Sequence, residues 1–124
     1  MDRRAKGNRA ENEAVKILKE ELWETYRVRG STNRFNQNND IFGLFDILAI
    51  RRDQYITNVK FVQVKSNSKP VLDPYQEFFD RYQDLSGAVQ VEVWVKHDTR
   101  WAGKVKKKYL RPAHWDRIEV SKVK

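Results

Sequence analysis

Between residues 55 and 96 the chain reads strand, helix, strand, and this unit restricts the fold more than any other feature. YITNVKFVQVK (55–65) is rich in β-branched and aromatic residues. PYQEFFDRYQDL (74–85) reads as a helix, opened by Asp73-Pro74 and ended by Ser86-Gly87. AVQVEVWVK (88–96) alternates, with Val89, Val91, Val93 and Val95 on one face and Gln90, Glu92 and Trp94 on the other. The helix is long enough for a right-handed crossover between parallel strands.

The preceding segments add antiparallel partners. FDILAI (45–50) is a compact apolar strand, RRDQ (51–54) a turn, and the strand over 55–65 completes a hairpin. YRVRG (26–30) reads as a short strand, STNRFNQNND (31–40) as loop, and RAENEAVKILKEELWE (9–24) as a helix. Beyond the loop at 97–103, KVKKKYLR (104–111) reads as the final strand, and PAHWDRI as one helical turn before a frayed tail. The expected fold is α/β in the order α-β-β-β-α-β-β: a mixed five-stranded sheet with a helix on each side. At 124 residues it forms a single domain with a core over about 6–112.

Composition narrows the function. Lys plus Arg is 25 against 17 for Asp plus Glu, a net charge of +8, which attracts polyanions. The chain has no cysteine, so thiolate zinc sites and cysteine nucleophiles are excluded. No apolar stretch is long enough to span a membrane, and the basic N-terminus lacks the apolar run of a secretory signal. The expectation is a soluble protein of a reducing compartment.

Three places break the apolar pattern. At about 100° per residue, Val15, Leu18 and Leu22 fall within about 40° of Glu11, which puts this acid in the middle of the buried stripe. Glu13 falls opposite, with Glu20 and Glu24, toward solvent. An inward carboxylate is costly unless paired or metal-bound; Glu11 can also serve the helix dipole or meet an arginine. Asp46 is the one acid in FDILAI, either a metal ligand or a strand-end cap. In FVQVK, Gln63 and Lys65 share the face of Phe61, with the Val64 carbonyl between them; the alternative is a solvated sheet face. Two acids and an amide oxygen can hold a hard cation such as Mg²⁺, with Mn²⁺ as a substitute. A lysine beside it can orient water or stabilise charge on a phosphate. Together they form a toolkit for metal-dependent phosphodiester hydrolysis.

Basic residues cluster at Arg3, Arg4, Lys6 and Arg9, at Arg27, Arg29 and Arg34, and at Lys104, Lys106, Lys107, Lys108 and Arg111. The first two clusters flank the proposed site, where a DNA backbone would lie, and Lys69 can join them. His97 and His114 are expected to be isolated surface residues, and Trp23, Trp94, Trp101 and Trp115 to be core or dimer contacts.

KGNRAENEAVKIL, RVRGS, FDILAI and FVQVKS, in this order and spacing, resemble the archaeal-type Holliday junction resolvases of the PD-(D/E)xK nuclease superfamily. Gly7 to Glu11 looks like the family's Gly-x-x-Ala-Glu opening, Gly30-Ser31 its Gly-Ser loop, Asp46 its strand-initial aspartate and Gln63-Val64-Lys65 its (D/E)xK strand. Tyr109-Leu110-Arg111-Pro112 looks like its closing strand. The resemblance implies a restriction-endonuclease-like core and a homodimer that nicks four-way DNA junctions symmetrically, in DNA recombination and repair. It implies Mg²⁺ held by Glu11, Asp46, Gln63 and the Val64 carbonyl, Lys65 positioning water, and Ser31 near the scissile phosphate. It further implies phosphate contacts by Arg4, Lys6, Arg9, Arg27, Arg29, Arg34 and Lys69, no small-molecule substrate, and a cytoplasmic location in an archaeal or virus-infected cell. Two positions depart from the pattern. Phe45 stands where proline is common, and Gln63 replaces an acid, which removes one negative charge from the site. Glu77 on the second helix is the carboxylate that can replace that charge, and Asp40 is the competitor of Asp46.

Overall fold

Small and apolar residues recurring every four positions set how the first helix docks. In the computed structural model, residues 3–28, 41–83, 87–98, 100–102, 108–111 and 113–120 are described, with side chains for 9–28, 41–83, 87–98 and 113–120. Helix α1 (Arg3–Glu20) buries Ala10, Ala14 and Leu18 against the sheet. It starts six residues before the expected boundary and stops four before the expected end. Leu22 takes a left-handed conformation (φ 71°), while the Leu22 and Trp23 amides donate to the carbonyls of Lys19 and Leu18. This is a Schellman stop, in which the residue after the turn packs back on the last helical turn. Trp23 does so against Leu18. Leu22, expected on the buried stripe, is therefore exposed (80%).

Strands β1 (Glu24–Arg27), β2 (Ile47–Arg52), β3 (Thr57–Ser66), β4 (Val89–His97) and β7 (His114–Glu119) form one mixed sheet in the order β1-β2-β3-β4-β7. Only β3 and β4 run parallel, joined through α2 (Asp73–Tyr82). Arg51 and Arg52 extend β2, so the hairpin turns at Asp53–Ile56 and not at 51–54. The Asp53 carboxylate accepts the amides of Tyr55 and Ile56 there.

The two helices cover opposite faces. On the α1 face lie Ile47, Ala49, Val62, Val64 and Trp94; on the α2 face lie Phe45, Val91, Val93, Val95 and Val120 with Tyr75, Phe78 and Phe79. Each fully buried large aliphatic contributes about 1.5–3 kcal/mol.

The fifth strand is not the expected one. β5 (Arg100–Ala102) and β6 (Lys108–Arg111) pair only with each other, as a separate two-stranded ribbon. The main sheet is completed by HWDRIE as β7 antiparallel to β4, where PAHWDRI was expected to make a helical turn. The physical reason is a period of two: Ile118 and Val120 join the α2-side core, while Trp115 packs on the α1 side. No helix among the described residues is long and apolar enough to cross a membrane.

Candidate functional site

Asp46 stands where the pleat breaks. Residues two apart in a strand share a face, yet Phe45 packs on the α2 side and Ile47 on the α1 side. At this break the Asp46 amide donates to the Val62 carbonyl (2.9 Å) and its carboxylate Oδ2 accepts the Val64 amide (3.0 Å). Its carbonyl accepts the Val28 amide (2.9 Å). Asp46 therefore clasps β3 on both sides of Gln63 and is itself buried (9% exposed). The carboxylate also completes a ladder position, so the strand-end capping role and proximity to Gln63 occur together. Irregularities of this kind re-aim side chains at sheet edges.

Gln63 and Lys65 face the α2 side, since their neighbours in register are Val93 and Val95. The Gln63 amide oxygen Oε1 is buried and accepts no hydrogen bond; it is the one such side-chain atom among the described residues. Leaving a buried acceptor unpaired costs about 1–3 kcal/mol. A solvated face does not explain it. A cation or donor arriving at this atom would remove that cost, and amide, carboxylate and carbonyl oxygens are the donor types that a hard metal ion takes. In an extended strand a residue's carbonyl points the same way as its amide, and the Val64 amide points to Asp46.

Glu11 is not at the centre of the buried stripe. That centre is Ala10, Ala14 and Leu18, and Glu11 flanks it with a side chain 20% exposed. It accepts a bond from Arg27 Nε (2.9 Å), whose NH1 also meets Asn12 Oδ1. The arginine partner expected as one of its roles is present as Arg27. Arg27 is in register with Ile47, which anchors Glu11 at the same end of the sheet as Asp46. Glu13 does not point to open solvent: it accepts bonds from Lys96 Nζ (2.6 Å) and Trp115 Nε1 (3.0 Å). The bond from Lys96 holds its carboxyl below the usual range, against an opposing effect of burial.

Among the residues proposed to contact DNA, Arg9 and Lys69 are exposed, and Arg4 and Lys6 belong to α1 with side chains outside the described set. Arg29, Ser31, Arg34 and Asp40 lie outside the described residues. Glu77 is exposed on α2, where it lines a cavity of about 340 Å³ with Phe42, Phe78, Arg81 and Tyr82.

Two polar centres were missed by sequence reasoning. On the α1 face, Lys60 Nζ pairs with Glu92 Oε2 (3.0 Å), with side chains only 6% and 5% exposed. Glu92 Oε1 accepts Trp94 Nε1 (2.7 Å) and lies 3.8 Å from Arg117, which holds Glu21 through two bonds of 2.6 and 2.9 Å. The signal was present: Lys60 shares a strand face with Val62 and Val64, and Glu92 with Trp94. On the α2 face, His97 and His114 are not isolated. They are partners in the β4–β7 register, their rings stack with centroids 4.7 Å apart, and His97 Nε2 lies 2.9 Å from Asp116 Oδ2. With PAHWDRI expected as a helical turn, no sequence signal joins them.

No family model matches the chain, and no curated protein and no solved structure matches it either.

Proposed function

We propose that this protein is a metal-dependent, structure-selective endonuclease that nicks four-way DNA junctions, built on a restriction-endonuclease-like core. The observation that carries this reading is the unpaired, buried oxygen of Gln63, on a strand whose backbone Asp46 clasps at Val62 and Val64. Asp46, Gln63 and the Val64 carbonyl would hold Mg²⁺, with Glu11 joining when its pair with Arg27 opens. Bound there, Mg²⁺ supplies Lewis-acid polarisation of a phosphoryl oxygen and a more acidic water.

The chain's own groups supply the rest. Lys65 shares the face of Gln63 and offers an ammonium to water or to charge gathering on the phosphate. A DNA phosphate arriving at Arg27 competes with Glu11 for the guanidinium, so substrate binding and release of Glu11 are coupled. The net charge of +8 supplies the long-range attraction. Four-way geometry, paired nicks and cytoplasmic action follow from the resemblance to junction resolvases. Two nicks with one site per chain call for a twofold dimer.

A second reading is a DNA-binding protein without catalysis, favoured by the closed Glu11–Arg27 pair and the uncharged Gln63. The test is incubation with a mobile four-way junction and a matched linear duplex, in Mg²⁺ and in chelator. Paired nicks in the junction alone, dependent on Mg²⁺, are expected. Equal cutting of the duplex removes structure selectivity, and binding without cutting leaves the second reading.

A further inference from the structure

We propose that His97, His114 and Asp116 form a binding site for a borderline transition-metal ion of the Zn²⁺ class, separate from the oxygen-lined centre at Asp46.

His97 is the last residue of β4 and His114 the first of β7, and they are direct partners in register. Asp116, two residues further along β7, shares the face of His114. One ligand atom from each of the three lies within 4.8 Å of the others. A tetrahedral ion with bonds of about 2.0–2.1 Å sets its ligand atoms roughly 3.3 Å apart. His97 Nε2 and Asp116 Oδ2 already stand 2.9 Å apart, and the β4–β7 ladder fixes the backbone positions from which the side chains would close on an ion. Asp116 is exposed and the imidazoles are half-buried, so an ion has a way in.

The backbone around these residues is fixed from outside the cluster. After His97, the Asp98 amide donates to Asn67 Oδ1 (2.9 Å), Asn67 Nδ2 donates to Asp98 Oδ2 (2.8 Å), and the Asn67 amide donates to the Lys96 carbonyl (2.8 Å). Between His114 and Asp116, Trp115 is held on the opposite face by Glu13. Ligands carried on rigid elements bind an ion with less reorganisation.

The donor chemistry selects the ion. Two imidazole nitrogens and one carboxylate oxygen suit Zn²⁺, Co²⁺ or Ni²⁺, while Mg²⁺ prefers all-oxygen sets. The chain has no cysteine to compete, and these are its only two histidines. Three protein ligands leave a fourth position for water. The ion would also tie the last residue of β4 to the first of β7.

The test uses the full, tag-free chain stripped with chelator. Co²⁺ titration is expected to give the intense visible bands of a tetrahedral ion, and Zn²⁺ should abolish them by displacement. With two histidines, imidazole ¹⁵N resonances are unambiguous, and both should shift on Zn²⁺ addition but not on Mg²⁺ addition. His97→Gln and His114→Gln should each weaken binding at least tenfold, on the order of what even outer-shell changes cause. Asp46→Asn should leave it unchanged, so failure here and failure of the nuclease reading are distinguishable. Should either variant misfold by circular dichroism, the wild-type imidazole shifts decide alone. Unshifted imidazoles at saturating Zn²⁺, or Co²⁺ bands that persist in both folded histidine variants, would overturn the proposal. So would loss of the bands in Asp46→Asn.

Discussion

Two polar centres lie three residues apart on β3, one on each face, and they differ in how fully they are satisfied. Glu92 meets Lys60, Trp94 Nε1 and Arg117, and cations lie over the neighbouring indoles: Lys60 over Trp23 at 4.6 Å and Arg117 over Trp94 at 4.0 Å. Gln63 Oε1, on the other face, meets no donor among the described residues. Burial alone therefore does not mark a functional residue. A closed network keeps its groups because each is paired, and removing one partner is what costs. An open acceptor costs stability in the folded protein itself, and so points to something it binds.

The sharpest way to break this contrast is at the open centre. Asp46→Asn keeps the side chain's shape but removes the charge that would hold the cation. Junction cleavage should fall by about 100- to 1,000-fold, as when one electrostatic contact to the transition state is lost, with junction binding retained. Cleavage within a few-fold of wild type would show that Asp46 serves the ladder only.

At the closed centre the expected loss is in stability. Lys60→Met leaves Glu92 buried with less compensation and should cost about 3 kcal/mol, the lower end for a broken buried pair because Trp94 and Arg117 remain. Urea denaturation measures it. A cost under about 1 kcal/mol, the range of exposed pairs, would mean the network is looser than its geometry.

Gln63 should respond with the opposite sign. Gln63→Leu removes an unpaired buried oxygen at similar volume and should stabilise the fold by about 1 kcal/mol while abolishing metal-dependent cleavage. Gln63→Glu should lower the Mg²⁺ concentration needed for half-maximal cleavage, since a carboxylate adds one charge facing the cation. Destabilisation by the leucine would reveal a partner for the amide.

The smallest effect concerns pH. Hydrogen bonds from Arg117 hold the Glu21 carboxyl below its ordinary value of 4.5, against the opposing effect of burial, and the same bonds hold Arg117 more firmly protonated. A depressed folded-state value contributes stability that is present above the ordinary glutamate range and lost as pH falls through the folded value. The denaturation midpoint should thus drop on acidification below about 4.5, and less so in Glu21→Gln. The effect is small because the Glu21 side chain is 37% exposed. Identical acid limbs in the two proteins would assign the acid loss to Glu13 or other carboxylates.

Much of the architecture was legible along the chain. The alternation of Val89 to Val95, the strand-helix-strand unit and the apolar face of α1 lead to a mixed sheet between two helices, as found. The juxtaposition of Gln63 and Lys65 was legible as well, because a pleat has period two. The strand in HWDRIE was not: its six residues are too few for periodicity to separate helix from strand, and pairing with β4 decided the matter.

What the amino-acid sequence determined by itself is which face the residues of the regular strands occupy, as with Gln63 and Lys65 or Val91 to Val95, together with the excess of positive charge. What only the tertiary structure decided is which residues meet across elements. It set Glu11 against Arg27, turned Asp46 onto the Val64 amide, left Gln63 Oε1 unpaired, and stacked His97 on His114. The physical reason is that side-chain periodicity is a local property of the backbone. Register between strands follows from packing and hydrogen bonding across the sheet, between residues far apart in the chain.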